Sequence, residues 1–276
     1  MHRLVSLLRH PQPLRFLVAQ IFWRTGWGRR LTFPLRGFRL HLHPANLAWQ
    51  LWMDRHQRDA DMNLIRSLLK PGDTMIDVGA NIGFTALEGV QAVGLKGTVH
   101  AIEPHPFIHR CLSENLILNH LGPPHIQTYP TAVSDEPSDI GVQFTNERRD
   151  DMNFMVPKGA ARHTCMNAKG IKVPVTTLDA LFPDLLHCDL LKIDVEGAEL
   201  AVLRGASRLL KNTRQIVIEA GDPNSARHGF TADDLLAYLE SAGFEVRSMD
   251  QEKGRHFPIQ IEYYRRHVGN WLAFRS

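Results

Sequence analysis

The stretch from Met75 to Phe84, MIDVGANIGF, decides the fold of this chain of 276 residues. It joins an apolar strand to the start of a helix through glycines. A glycine turn of this kind lets a ligand approach the backbone closely, and the first amides of the helix face that ligand. Asp77 stands at the strand end, where its charge would repel a phosphate group. The stretch therefore predicts a nucleotide-like ligand that is compatible with an acid.

The spacing of the glycines does not match the dinucleotide fingerprint G-x-G-x-x-G, because only Gly79 and Gly83 are present. Glu103 ends the next predicted strand, where a carboxylate can accept hydrogen bonds from both hydroxyls of a ribose. An acid beside the turn suits an adenosine conjugate with an ammonium or sulfonium group, and S-adenosylmethionine carries both. We therefore favour S-adenosylmethionine over a dinucleotide. A turn in which Asp77 only caps the helix would leave Glu103 unexplained.

Strands alternate with helices along most of the chain. Strand-like apolar runs occur in TMIDVG, GTVHAIEP, IQTYPTAVS, CDLLKIDVEGAE and RQIVIEAG, with helical patterns between them. This alternation predicts right-handed crossovers and an α/β fold whose parallel sheet carries helices on both faces. We expect FEVRSMD and GNWLAFR to close the sheet as a hairpin, and residues 135–173 to form an inserted hairpin or a mobile loop.

Charge is distributed unevenly between the start of the chain and the rest. Residues 1–58 hold ten arginines and one acid, which leaves 22 basic and 28 acidic residues to the remainder. Such a split is typical of a membrane or polyanion contact, and equally of a solvated basic face. We predict an N-terminal basic helical arm or cap over residues 1–60, with a strand pair in LTFPLRGFRLHLHP, and a second domain over residues 61–276.

The composition is that of a globular protein, with 43% hydrophobic and 22% charged residues. The apolar run LRFLVAQIFW is shorter than the roughly 20 residues of a membrane-spanning helix, and Pro11 and Pro13 interrupt any leader. Cys111, Cys165 and Cys188 lack C-x-x-C spacing, which argues against a disulfide framework and a zinc site. We therefore expect a cytoplasmic protein, with contact at the inner face of the membrane as an alternative.

Six stretches resemble, in order and spacing, the FkbM-type methyltransferases, a class I family that depends on S-adenosylmethionine. They are PGDTMIDVGANIGFTALEGV, HAIEPHP, TAVSD, VPVTTLDAL, LLKIDVEGAELAVLRGA and IVIEA. The resemblance implies a Rossmann-like, mostly parallel seven-stranded sheet with its last strand antiparallel. It also implies that residues 61–276 are a methyltransferase domain, which methylates hydroxyl oxygens on sugars, glycolipids or polyketide-like compounds.

The same resemblance implies which residues bind the methyl donor. Residues that match the family's motifs would hold the methionine end (Asp77, Gly79, Asn81 and Gly83), the ribose (Glu103) and the adenine edge (Ala132 and Val133). The chain departs from the family after the fifth strand, where relatives often have Glu followed by His or Asn. Here Glu219 is followed by Ala220, which leaves the substrate-side role of this loop open.

Methyl transfer is an in-line displacement at a sulfonium carbon, so an oxygen nucleophile must be aligned and lose its proton. Asp194 ends the fourth strand across from the glycine turn and is our first candidate for the base. Glu196 lies on the same side of the strand by two-residue periodicity, and Lys192 would hold Asp194 ionised. Glu219, at the end of the next strand, is a further candidate. Glu199 is explained by the dipole of the helix that it begins.

Two alternatives concern a metal and the type of function. Asp194, Glu196 and Glu219 could together hold a magnesium ion, since carboxylate oxygens suit hard cations, but we predict no metal. The chain could also be a non-catalytic binding module whose residues 1–45 dock on an anionic membrane. These residues contain no lysine, which argues against a nucleic-acid partner. We expect an enzyme that acts on a small-molecule, glycan or glycolipid acceptor.

Overall fold

The computed structural model describes residues 31–137, 141–144, 153–155, 171–250 and 255–275. Residues 1–30 of the predicted arm lie outside this set, as does most of the predicted insertion at 138–170. None of the helices formed by the described residues combines the length and apolar character needed to cross a bilayer. The predicted strand pair is confirmed as strands β1 (Thr32–Leu35) and β2 (Phe38–His41), and helices α1 (Asn46–Met53) and α2 (Asp59–Leu68) follow it.

Strands and helices alternate in the remaining chain, as the sequence predicts. In chain order they are β3 (Thr74–Val78), α3 (Phe84–Val93), β4 (Thr98–Ile102), α4 (Pro106–Leu118), β5 (Ile126–Tyr129), β6 (Ala132–Val133), β7 (Gly141–Phe144), β8 (Asn153–Met155), β9 (Ile171–Lys172), β10 (Val175–Thr176), α5 (Leu178–Leu181), β11 (Cys188–Ile193), α6 (Glu199–Arg204), α7 (Ser207–Lys211), β12 (Thr213–Ala220), α8 (Asp222–Ser225), α9 (Ala232–Ser241), β13 (Glu245–Asp250), β14 (Arg255–Pro258), α10 (Ile261–Tyr264) and β15 (Gly269–Phe274).

The central sheet has the strand order β14-β13-β15-β12-β11-β3-β4-β5 among the described residues. Strands β5, β4, β3, β11 and β12 are parallel neighbours, and β15 runs antiparallel between β12 and β13. The α/β class and the antiparallel last strand are confirmed. Strand β14 adds an eighth strand at the edge, beyond the seven that the resemblance implied.

The predicted third strand, IQTYPTAVS, forms two strands instead of one. Pro130 lies between β5, which joins the central sheet, and β6, which pairs with β10 in a separate two-stranded sheet. Proline has no backbone N–H to donate to a strand neighbour. The chain therefore leaves the central sheet at this residue and carries Ala132 and Val133 toward the end of β4.

Two apolar clusters cover the two faces of the sheet. Successive strand residues point to opposite faces, so Leu190 packs in one cluster and Leu191 in the other. Phe33 and Leu40 of the N-terminal hairpin are buried in the same cluster as Leu190. The domain boundary at residue 60 stays a prediction, but the described residues before it share a core with the sheet.

Glu88 on α3 fastens the hairpin and α2 to the sheet domain. Its carboxylate has no exposed surface and forms ion pairs with Arg36, from the β1–β2 turn, and Arg66, from α2. Arg36 also contacts the Asp59 carboxylate at 2.7 Å. A buried carboxylate with two guanidinium partners is strongly destabilised when either partner is lost. The three-way contact therefore fixes the position of α2.

Candidate active site

A cleft opens at the carboxyl ends of β3, β4, β11 and β12, where ligands of open α/β sheets bind. Its volume, counted out to the open mouth, is about 1570 Å³. The floor and walls come from the turn after β3 (Gly79, Ala80, Asn81), from Glu103, Thr131, Ala132 and Val133, and from Lys192, Asp194, Glu196 and Glu219. Helices α1 and α2 form a roof with Asn46, Leu47, Gln50, Arg58, Asp61, Met62 and Ile65.

The turn after β3 needs glycine for steric reasons. Gly79 has φ +80°, and a Cβ there would overlap the backbone carbonyl oxygen of Asp194. Gly83 has φ +89° at the start of α3, and a Cβ there would overlap the Leu112 side chain. Side chains rarely adopt this left-handed region, and the close contacts exclude them. The turn therefore lies directly against the loop that follows β11, which brings the two loops together at the cleft.

Glu103 is held at the end of β4 by two backbone donors. The N–H of Asn81 donates to Oε2 at 3.0 Å, and the N–H of His105 donates to Oε1 at 2.9 Å. These bonds orient the carboxylate at the wall of the cleft, where the sequence predicts it. Ala132 and Val133 line the same cleft and present apolar surface.

Asp77 is buried behind the cleft wall, which corrects our expectation that it faces a cationic ligand. Its side chain has no exposed surface, and Oδ1 lies 3.4 Å from Nζ of Lys192. Burial raises the pKa of Asp77, and the charge of Lys192 opposes that rise. Gly83 is also predicted to bind the methyl donor, but it does not line the cleft. It lies at the N-cap of α3. Asp77 therefore contacts Lys192 and does not line the cleft.

Lys192 bridges two carboxylates. Its ammonium lies 3.4 Å from Asp77 and 3.3 Å from Oδ2 of Asp194, and its side chain is 13% exposed. Burial lowers the pKa of Lys192, but the charges of Asp194 and Asp77 outweigh burial and raise it. The lysine is therefore positively charged and neutralises part of the charge on Asp194. This is the contact that the sequence analysis predicts.

Glu219 and Glu196 meet through Asn224, which donates to Oε2 of Glu219 at 3.2 Å and to Oε2 of Glu196 at 3.5 Å. Burial raises the pKa of Glu219 to about 8, and the charges of Asp194 and Glu196 contribute to the rise. Burial and the neighbouring acids thus favour the protonated form of the Glu219 carboxyl. Acids gathered at the edge of a cleft suit a cationic ligand.

Glu199 has a structural role, as expected from its position at the start of α6. Its carboxylate accepts hydrogen bonds from the N–H groups of Gly197, at 3.0 Å, and Val195, at 3.3 Å. Burial raises the pKa of Glu199 to about 7 although these bonds lower it. The carboxyl thereby fixes the loop that carries Glu196, whose φ is 55°.

The cleft is also lined by polar residues that the sequence analysis misses, Asp61 from the roof and Asn270 from β15. Asn270 on β15 donates from Nδ2 to Oδ1 of Asp61 at 3.1 Å, and Arg58 lies 3.5 Å from the other oxygen of the same carboxylate. Asp61 and Asn270 are 209 residues apart, so no local pattern relates them.

Within the described part of the chain, no three His, Cys, Asp or Glu side chains are arranged to hold a metal ion.

The chain matches a known family over most of the sheet domain. A model of the "Methyltransferase FkbM domain" matches residues 77–246, which is more than half of the chain. The chain belongs to the FkbM methyltransferase family. The 31-O-demethyl-FK506 methyltransferase FkbM of Streptomyces tacrolimicus is 30% identical over 207 residues, which cover 64% of this chain and 75% of that protein. Methyltransferase sdnD of Sordaria araneosa is 26% identical over 197 residues, or 62% and 73% of the two chains.

A crystal structure of a methyltransferase FkbM from Methylobacillus flagellatus KT covers 82% of this chain with a TM-score of 0.45 and 15% identity. The match spans about half of that chain, at 52%. In the present chain, Arg58 and Asp61 precede the region that matches the family model, and Asn270 follows it. The walls of the cleft lie mostly within the family region, whereas its roof does not.

Proposed function

We propose that this methyltransferase transfers the methyl group of S-adenosylmethionine to a hydroxyl oxygen of a sugar, glycolipid or natural product. The observation that carries the proposal is the single cleft in which the glycine turn, Glu103 and the acids of β11 and β12 meet. The name of one relative, 31-O-demethyl-FK506 methyltransferase, describes an O-demethyl compound and supports an oxygen acceptor.

The residues of the cleft fit S-adenosylmethionine chemically. Glu103 would accept hydrogen bonds from the ribose hydroxyls, and Ala132 and Val133 would contact the adenine. The turn at Gly79 and Asn81 would hold the methionine end, whose carboxylate suits the N-terminus of α3. The acids near Asp194 suit the donor's positive charges, which a pyrophosphate could not match. Asp77 would act indirectly, by keeping Lys192 and the turn in place.

The chemistry requires a base but little else from the protein. S-adenosylmethionine supplies a methyl group on a sulfonium, which an oxygen nucleophile attacks in line. Asp194 and Glu196 are the predicted catalytic residues, and Lys192 is a positioning residue because both of its contacts are carboxylates. The negative charges of Asp194 and Glu196 would stabilise the sulfonium, while a carboxyl at this edge would remove the acceptor's proton.

Calorimetry with S-adenosylhomocysteine tests donor binding without any knowledge of the acceptor. We expect saturable heat with the wild-type protein, and NAD should give none. An absence of binding at ligand concentrations on the order of 1 mM would rule out the proposal, since that corresponds to only about 4 kcal/mol of affinity.

The acceptor class is then tested by incubating the enzyme with labelled S-adenosylmethionine and fractions of neutral glycans, glycolipids and apolar natural products. Label that enters only nitrogen-linked methyl groups would contradict O-methyl transfer.

A further inference from the structure

Glu219 differs from Asp194 in how its charge is neutralised. Lys192 lies within 3.4 Å of both Asp77 and Asp194, so its single charge is already shared between two carboxylates. Among the described residues, no basic side chain forms an ion pair with Glu219. Its hydrogen-bond partner is the neutral amide of Asn224, which also contacts Glu196.

The charged groups around Glu219 come from several elements of the fold. Asp194 and Glu196 follow β11, Glu199 begins α6, and Lys192 lies on β11. The neighbouring strand places Asn270 opposite Glu219 in the register, and Asn270 contacts Asp61 of the roof, which is paired with Arg58. In the part of the chain that the structure describes, the charges of Asp194, Glu196 and Glu199 raise the pKa of Glu219 and the charge of Lys192 lowers it. A proton on Glu219 therefore relieves repulsion in the free protein.

We propose that Glu219 is the proton acceptor of methyl transfer, and that it carries a proton which is released when the cationic methyl donor binds. This inference rests on the proposed function, because it needs S-adenosylmethionine in the cleft. Asp194 then has a different role. It keeps its ion pair with Lys192 and stabilises the donor's positive charge, since accepting a proton would break that pair.

The proposed cycle balances protons and electrons. When the sulfonium occupies the cleft, its positive charge replaces the proton of Glu219, which passes to solvent. The acceptor oxygen then forms a bond to the methyl carbon, the electrons of the carbon–sulfur bond remain on sulfur, and the hydroxyl proton moves to Glu219. The products are a methyl ether, neutral S-adenosylhomocysteine and a protonated Glu219 carboxyl. The pKa of Glu219, raised to about 8 mainly by burial, fits a base that works near neutral pH.

Proton release can be measured by calorimetry before any acceptor is known. The heat of binding is recorded near pH 7 in phosphate and in Tris, whose ionisation enthalpies differ, and the difference gives the number of protons released. We expect about one proton per S-adenosylmethionine for the wild-type protein, and far less for S-adenosylhomocysteine, which lacks the sulfonium charge. Glu219→Gln should still bind S-adenosylmethionine but release no proton. The matched control Glu240→Gln, on the exposed face of α9, should release as many protons as the wild type.

The main rival is Glu199, because burial also raises its pKa, to about 7. If Glu199→Gln abolishes proton release and Glu219→Gln does not, the inference is wrong. It is also wrong if S-adenosylmethionine binds the wild type with no release. Either result leaves the proposed methyltransferase activity intact. Failure of both ligands to bind would instead overturn the proposed function.

A pH series on the wild type decides the matter if Glu219→Gln does not fold. Release of a proton makes S-adenosylmethionine bind more tightly as pH rises, by up to tenfold per pH unit below the pKa of the group. We expect this rise between about pH 6 and pH 7.5, whereas the affinity for S-adenosylhomocysteine should stay nearly level. Equal pH dependence of the two ligands would overturn the inference.

Discussion

Lys192 and Asp77 are register partners on adjacent parallel strands, and the lysine ammonium lies 3.4 Å from a carboxyl with no exposed surface. A charge buried in the sheet is thus neutralised by the neighbouring strand. The pair links the glycine turn after β3 to the acids after β11. Its stability is therefore expected to affect both the fold and the cleft.

Replacement of Lys192 by Met should lower the free energy of unfolding by about 3–5 kcal/mol, because it leaves the buried Asp77 carboxyl without its charge partner. Urea denaturation near neutral pH measures this change. Lys211→Met, at the exposed end of α7, should change the value by no more than about 0.5 kcal/mol. The double variant Lys192→Met/Asp77→Asn should recover most of the loss. Equal stability of Lys192→Met and Lys211→Met would contradict a structural role for the pair of Lys192 and Asp77.

Two glycine-to-alanine variants separate a close contact from backbone strain alone. Gly79 and Gly72 both have positive φ, at +80° and +95°, but only Gly79 faces a neighbouring backbone atom, and nothing lies within 4 Å of a Cβ at Gly72. Gly72→Ala should cost about 1–2 kcal/mol and retain S-adenosylhomocysteine binding. Gly79→Ala should cost about 3 kcal/mol or more and weaken binding at least tenfold, because β11 must move. Thermal melts and calorimetry compare them, and similar losses in both variants would argue against the contact.

Glu103→Ala should weaken S-adenosylhomocysteine binding by about 10- to 100-fold, the effect of losing charged hydrogen bonds to a ribose. The variant also leaves the N–H groups of Asn81 and His105 without their carboxylate acceptor. Calorimetry measures the affinity, and Glu240→Ala on the surface of α9 serves as the control. Unchanged affinity in Glu103→Ala would remove this residue from the donor site.

Glu88→Ala should loosen the roof of the cleft more than the sheet. It removes the carboxylate that joins Arg36 and Arg66, and we expect a loss of about 3–5 kcal/mol. Hydrogen exchange should rise first in α2 and the β1–β2 hairpin. Glu245→Ala, which breaks a more exposed pair with Arg247, should cost less than about 1 kcal/mol. Uniform exchange across the sheet in Glu88→Ala would contradict a local fastening role.

The raised pKa of Glu219 also predicts how stability depends on pH. Its pKa is about 8 in the folded protein and near the ordinary value of 4.5 in the unfolded chain, so the folded state binds more protons between these values. This contribution to stability is present at low pH and is lost as pH rises toward 8. Glu219→Gln should therefore gain stability relative to the wild type as pH increases from about 5 to 8, measured by urea denaturation. A constant difference across this range would contradict the raised pKa.

Local sequence patterns predict much of the fold and part of the site. The alternation of strands and helices, the glycine turn and the acids at strand ends are all short-range features, and parallel strands bring their carboxyl ends to one edge. Two-residue periodicity is sufficient to predict the contact between Lys192 and Asp194. The position of Glu103 at the cleft wall follows from its place directly after β4, at the same edge of the sheet.

Other features depend on contacts that no short stretch of sequence encodes. A strand-end position does not reveal that Asp77 is covered, because its burial depends on Lys192 of a strand more than a hundred residues later. The contact between Asp61 and Asn270 joins residues on either side of the family region. The elevated pKa of Glu219 arises from burial and from acids on neighbouring elements. These features require the tertiary structure.

The position of the roof in the chain also matters for how such enzymes diversify. Helix α2 lies ahead of the region shared with the family, and the exposed turn at residues 70–72 separates the two. Recombination between genes at that turn would exchange the surface above the cleft while preserving the glycine turn and Glu103. A hybrid joined at that turn would have to keep Arg36 and Arg66 ahead of it, because their partner Glu88 follows it and has no exposed surface.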